Sequence, residues 1–280
     1  MRFHKGPIAV GRNQNHVMGG ATRHACALML ACLATCVVLA ATTSDLCGAT
    51  ILEDLKLDDD LTCTGDGLIV GADGIRIDLN GYTLSGSGVG AGMVVTGRSN
   101  VSISGGTVRN FAVALRVNTS TDLVVKHMEF VANLEGIDLQ SGSIGNTIKD
   151  SAFRDSTTRG IMLRGDSREN DIKNNTFTGN RIGILVFGGI DNTLKQNIVS
   201  GSTLVGIRLN VIATGNDLKD NTITSNFVGI EFLVTPTGSA AGNDLKGNTI
   251  VTNDCGLKGP TAGNDMKNNF FDGNGADTCS

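Results

Sequence analysis

The chain has 280 residues, 38 of them Gly, with no Trp, one Tyr and three Pro. A hydrophobic content of 40% excludes wholesale disorder, and an aromatic content of 4% leaves Ile, Leu and Val to build the core. The first 41 residues hold four basic and no acidic groups, so the rest carries 19 basic (23 − 4) against 27 acidic residues, net −8, which argues against a nucleic-acid partner.

Arg2, Lys5, Arg12 and Arg23 precede an apolar run from Ala25 to Ala41, and the chain turns polar from Thr42. A positive segment, an apolar segment and small residues at its exit read as a secretory signal peptide over 1–41, cleaved after Ala40 or Ala41. A start at Met18 would give a positive segment of more ordinary length. The alternative is an uncleaved anchor, for which the Ala-rich run is short of the roughly 20 residues of a span. The mature chain is thus expected to be secreted or periplasmic, without a membrane span.

Cys26, Cys32 and Cys36 fall within the apolar run, which leaves Cys47, Cys63, Cys255 and Cys279. Four Cys allow three pairings. Two lie near each end of a repetitive chain, so Cys47–Cys63 and Cys255–Cys279 are the expected bridges in an oxidising compartment. A metal site is the alternative for each pair, but no His accompanies them. Residues 42–65, with Leu55, Leu57 and Leu61, are expected to cap the domain that follows.

From residue 66 to 280 the chain repeats. Asn170-Asp171-Ile172-Lys173-Asn174-Asn175-Thr176-Phe177 recurs, with variations, from Asn192, Asn216, Asn243 and Asn264, with a weaker copy from Asn146 and fainter ones reaching back through Lys126 and Ile103 to Leu79. A second phrase precedes it in each coil: Gly136-Ile137-Asp138-Leu139, Gly160-Ile161-Met162-Leu163, Gly183-Ile184-Leu185-Val186, Gly206-Ile207-Arg208-Leu209 and Gly229-Ile230-Glu231-Phe232. Both alternate apolar with variable residues, the period of a strand, and no stretch keeps a helical period. Short strands at a step of two dozen residues cannot bury a face singly; stacked coil on coil, each pairs with its copies above and below. The expectation is an all-β parallel solenoid of about nine coils, with inward columns (Ile148, Ile172, Leu194, Leu218, Leu245, Met266; Ile137, Ile161, Ile184, Ile207, Ile230) and an Asn ladder (Asn175, Asn197, Asn221, Asn248, Asn269) whose members take left-handed turns.

These phrases resemble the coils of pectate-lyase-like right-handed parallel β-helix proteins, and most closely the group that includes the NosD-type periplasmic proteins. The resemblance spans roughly residues 47–275. It implies a right-handed β-helix and says little about activity, because the matching residues are inward columns and turns.

Two outward columns are candidates for function. Lys126, Lys149, Lys173, Lys195, Lys219, Lys246 and Lys267 form one, partly neutralised by Asp171, Asp217, Asp244 and Asp265 two residues earlier, and read mainly as a solvated face. The other is irregular: Arg116, Asp138, Met162, Leu185, Arg208, Glu231 and Lys258, with Gln140, Arg164 and Phe187 one strand position on. A uronate lyase or epimerase needs charge neutralisation, often through Ca²⁺ on carboxylates, and a base. Asp138, Arg164 and Arg116 could supply these; the alternative is a salt-bridged surface. Arg208, Glu231 and Phe187 are candidates for glycan contact, and Tyr82 for stacking. The Gly-His-Gly and Asp-Pro-His motifs of related polysaccharide enzymes are absent. One His outside the leader, His127, is thin for copper, and no metal site is expected. The reading is a monomeric polysaccharide-binding β-helix without turnover, with a divergent lyase or epimerase and a structural or adhesion module as alternatives.

Overall fold

The computed structural model describes residues 46–279, apart from residue 211 and residues 236–237. The segment read as a leader lies outside the described residues, and no helix among those described is long and apolar enough to cross a membrane. The described coils are built from parallel strands in a right-handed β-helix, with one small antiparallel pair, Val234–Thr235 with Gly238–Ser239, set into a late coil.

Eleven strands stack in sequence order to form sheet A, from Thr50–Ile51 through Glu135–Leu139 to Ala276–Cys279. Sheet B takes two short strands from most coils, such as Asp171–Lys173 and Thr176–Thr178. Its two ladders join because Ser102–Arg109 and Val124–Val131 run through both. Parallel strands joined by crossovers take the right-handed path. The first strand of sheet A, Thr50–Ile51, precedes the repeat expected over residues 66–280. The segment expected as a cap contributes Thr50–Ile51, Leu55–Lys56 and Leu61–Thr62 to the same ladders, so it is folded as the first coil.

The two long inward columns stand in register as expected. Ile137, Ile161, Ile184, Ile207 and Ile230 are fully buried, each contributing roughly 1.5–3 kcal/mol by leaving water. Upward from Ile148 the other column runs through Val125, Ile103 and Ile77, not Leu79. Phe130, Phe153 and Phe177 stack inside at centroid distances of 4.9 and 4.7 Å.

The corners explain why the strands stay short. Gln196, Asp220 and Ser225 have φ of 55°, 54° and 57°, and each precedes an inward Asn: Asn197, Asn221 and Asn226. The left-handed conformation therefore sits one residue before the ladder Asn, not on it, because that turn is what rotates the following side chain into the core. There are three Asn ladders rather than one. The first runs from Asn146 to Asn264, the second from Asn175 to Asn269, and the third holds Asn133, Asn180, Asn226, Asn253 and Asn274 with Ser156 and Ser202 interposed. Each ladder Asn reaches back one coil. Asn221 Oδ1 accepts from Asn197 N at 2.9 Å and Asn197 Nδ2 at 3.0 Å, and its own Nδ2 donates to Leu194 O at 2.8 Å. The buried backbone groups at corners, which no strand can pair, are satisfied in this way.

Both expected disulfides form. Cys47–Cys63 closes the first coil with Cα atoms 5.5 Å apart, and Cys255–Cys279 ties the last two strands of sheet A at 6.2 Å.

Candidate functional site: the outward face of sheet A

The strands of sheet A from Val113–Asn118 onward carry a local irregularity, a residue skipped by the pairing, such as Gly136 between Glu135 and Ile137. A side chain on Gly160 would come within 2.6 Å of the Gly183 carbonyl, and one on Gly206 or Gly229 would meet the inward Ile223 or Ile250. In these coils the space admits only Gly, while Ala114 takes the same place one coil before Gly136; this residue and the apolar one after it both face inward. The residues on either side of the pair, such as Glu135 and Asp138, then both point outward. This gives the face two columns. One is the irregular column singled out in the sequence, with Arg116, Asp138, Met162, Leu185, Arg208, Glu231 and Lys258 in register. The second holds Val113, Glu135, Arg159, Ile182, Val205, Val228 and Cys255.

The first half of the face is ionic. Asp138 is 2% exposed although it points outward. Arg164 grips it with two bonds, Nε to Oδ1 at 2.9 Å and Nη2 to Oδ2 at 2.7 Å, and Gln140 Nε2 donates to Oδ2 at 2.7 Å. The bond to Asp138 holds the Arg164 guanidinium above its ordinary range. Glu135 pairs with Arg159. Burial pushes the Glu135 carboxyl above the usual carboxylate range, against the pull of Arg159; Asp138 adds to the rise. Arg116, one coil above Asp138, has no hydrogen bond or ion pair among the described residues and stays available to a ligand. The structure brings together Arg116, Asp138 and Arg164, and adds Glu135 and Arg159, which sequence reading missed. Their signal was positional: both occupy the place before the Gly of the Gly-Ile phrase, where the next three coils carry Ile182, Val205 and Val228.

The second half is apolar along its middle. Met162, Ile182 and Leu185 pack together, as do Val205, Val228 and Cys255, with Leu204 touching both groups. Phe227 stands at one edge, 54% exposed, and Phe187 at the other, 47% exposed. Between them Arg208 Nε donates to Glu231 Oε2 at 2.5 Å, and Lys258 lies 3.7 Å from Glu231 Oε1. As with Asp138, outward position does not mean exposure here: Met162, Leu185 and Glu231 are also buried. Tyr82 lies apart, at a turn beside Leu79, partly packed on the core. On sheet B, Lys173, Lys219 and Lys267 pair with the Asp two residues earlier, which neutralises much of that column.

With the geometry in view, the likenesses to known proteins carry meaning. The family described as Periplasmic copper-binding protein (NosD) matches residues 63–239 and 170–278. The chain belongs to the NosD family. Among solved structures, the periplasmic alginate epimerase AlgG aligns with a TM-score of 0.61 at 13% identity, over 78% of this chain and 73% of that one. A point mutant of the same epimerase aligns over 76% of this chain, which spans 62% of its length. An alginate lyase from Paenibacillus sp. str. FPU-7 follows at 0.56 and 18% identity, over 77% and 91% of the two chains. A tailspike protein of E. coli bacteriophage HK620 aligns at 0.58 and 11% identity, over 79% of this chain and 50% of that one. At such identities these likenesses speak for the β-helix and not for an activity. No curated protein matches the chain in sequence.

The NosD name raises copper, and the donor set among the described residues does not fit it. His127 is exposed, all four described Cys are bonded in disulfides, and Met93 and Met128 lie inside the core. Soft or imidazole donors must converge to hold copper. Among the described residues no three His, Cys, Asp or Glu gather where a metal ion could be held. The periplasmic setting of the NosD family does fit the two disulfides, which persist in an oxidising compartment.

Proposed function

We propose that this NosD-family protein is exported by its N-terminal segment and binds an acidic extracellular polysaccharide along the outward face of sheet A, without turning it over. One observation carries the reading. All three carboxylates of the face, Glu135, Asp138 and Glu231, are engaged by guanidinium groups. Asp138 accepts three bonds on its two oxygens and is 2% exposed, so little of it is left to take a proton from a sugar. The cations exceed the carboxylates: Arg116, Arg159, Arg164, Arg181, Arg208 and Lys258 stand on or beside the face. On a mature chain of net −8 (19 − 27), this concentrates positive charge where a polyanion would lie. The apolar half, edged by Phe187 and Phe227, offers C–H surface to sugar rings. Alginate is the substrate named for two of the structural relatives, and a uronate polymer of that kind is the first ligand to test.

The test is retention of the protein in native gels cast with alginate or polygalacturonate, run beside an assay for unsaturated product by ultraviolet absorbance. Retarded migration without product is expected, and Arg116→Ala and Arg208→Ala should each relieve it. A second reading, a divergent lyase or epimerase, is favoured by Glu135, whose raised carboxyl is the one group of the face displaced toward the range of a general acid or base. Product formation, or altered uronate stereochemistry by NMR, that is lost in Glu135→Gln would establish it. Failure of both retention and turnover would shift the weight to a structural or adhesion module.

A further inference from the structure

The corner between sheet B and sheet A varies in length along the first coils. Between the strand positions aligned as Ser85, Arg109, Val131 and Arg154 and those aligned as Ala91, Val113, Glu135 and Arg159, the chain spends five residues (86–90), three (110–112), three (132–134) and four (155–158). The five-residue corner contains Gly86, Gly88 and Gly90, and its Val89 is 56% exposed. It stands out past the tight corners that follow, and beneath it lies an open recess of about 580 Å³. A volume of that order suits one or two sugar rings rather than an extended polymer.

The chemistry of the recess is distinct from that of the ionic face next to it. Its walls carry no charged side chain. Gly88 faces open space, so the wall there is bare backbone. Leu134, 46% exposed, supplies one apolar side. The Asn110 amide and the Thr157 hydroxyl have no partner among the described residues, and both line the recess. An uncharged cavity with one aliphatic wall and unengaged donors matches a ring that has hydroxyls on its rim and C–H groups on its face. It would not compensate the desolvation of a carboxylate.

We propose that this recess is a binding site for a neutral hexose unit, so that the glycan recognised by the protein combines acidic residues on sheet A with a neutral residue here. The second clause rests on the function proposed above; the occupancy of the recess does not. Leu134, which lines the recess, is followed directly by Glu135 of the ionic face, so one glycan can reach both.

The experiment is a ¹H–¹⁵N NMR titration of the protein with cellotriose, mannotriose and galactotriose. One of these should give saturable shifts at Ser87, Gly88, Asn110, Leu134 and Thr157. Thr157→Trp, a change at an exposed position that fills the recess, should weaken that binding about tenfold or more while leaving thermal unfolding unchanged. Leu134→Ser, which keeps the recess open but removes its apolar wall, should weaken it by a smaller factor. Arg208→Ala should leave the shifts intact and affect only retention by acidic polymers, which separates this site from the ionic face. Absence of saturable shifts with all three trisaccharides, or shifts that persist unchanged in Thr157→Trp, would overturn the proposal.

Discussion

Replacing Asn221 by Ala tests the corner chemistry that holds the coils together. Asn221 is 1% exposed, in the middle of the second ladder. Its side chain bonds two buried backbone groups of the preceding coil, the N–H of Asn197 at 2.9 Å and the C=O of Leu194 at 2.8 Å. The Asn197 amide keeps its bond to Ile172 O and the Asn221 N–H keeps Asn248 Oδ1, so those two interactions survive. The loss is one orphaned buried N–H, that of Asn197, because Leu194 O sits within a paired strand and loses only its second donor, so the cost is about 1–3 kcal/mol. Asn269 makes the equivalent bonds, to Asn248 N and Leu245 O, but is only partly buried in the last coil, where water can replace the amide. Asn269→Ala should therefore cost about 1 kcal/mol or less. Urea unfolding followed by far-ultraviolet circular dichroism measures both, read as a change in midpoint at constant slope. A loss below about 0.5 kcal/mol at Asn221, or equal losses at the two sites, would refute the reasoning that burial of the backbone partners sets the cost.

The third ladder predicts a gain. Ser156 and Ser202 stand where neighbouring coils have Asn, and each has a buried hydroxyl without a partner among the described residues. Ser202→Asn would reach the backbone of the preceding coil as Asn226 reaches Val199 O, and should raise the urea midpoint by the equivalent of about 1 kcal/mol; an unchanged or lower midpoint counts against the ladder geometry. Arg164→Ala leaves Asp138 buried with Gln140 alone and should cost about 3 kcal/mol, whereas Arg164→Ala combined with Asp138→Ala should cost less than the single change. The Glu135 carboxyl is raised in the folded state, so it takes up protons more readily folded than unfolded; its contribution is fully present below the ordinary carboxylate range and is lost as pH rises through the folded value. The stability of Glu135→Gln relative to the wild type should therefore improve between about pH 4 and 7, and parallel pH profiles would refute this. Reduction of Cys255–Cys279, which closes a 24-residue separation, should lower stability by about 3 kcal/mol in the loop-entropy account and speed amide exchange in the last coil first.

Much of this architecture was legible because a solenoid repeats its evidence. The Gly-Ile phrase and the Asn-Asp phrase each occur at least five times, so the columns from Ile137 to Ile230 and from Ile148 to Met266 could be placed without a structure. The third Asn ladder escaped because Ser156 and Ser202 interrupt it and because its flanking residues, Leu134, Thr157, Arg181 and Phe227, share no chemistry. In the site, the column from Arg116 to Lys258 was readable from alternation alone. Its partner column was not, since simple alternation places Glu135 on the same side as Ile137. The skipped Gly reverses that, and the skip is visible only when the glycine is seen to abut the next coil. Burial of Asp138 was equally hidden: outward side chains on a curved sheet cover one another, which strand period does not report. The recess depends on corner lengths, and these require the register on both sides of the corner.

The Asn ladders also have a direction. Each amide reaches back to the backbone of the coil that precedes it in the chain, as Asn197 does at Ile172 O, Asn221 at Leu194 O and Asn248 at Leu218 O, while their second protons go to the next Asn of the ladder. A polypeptide made or threaded through a pore from its N-terminus presents its coils in that same order. Every new coil then finds its backbone acceptors already fixed, while the first coil, closed on itself by Cys47–Cys63, serves as the seed. Growth by addition to a templating end needs no distant segment to arrive, so the closure of each step spans about one coil rather than the whole chain. Truncation from the C-terminus should shorten such a rod, whereas loss of the first coil should remove the surface on which the rest assembles.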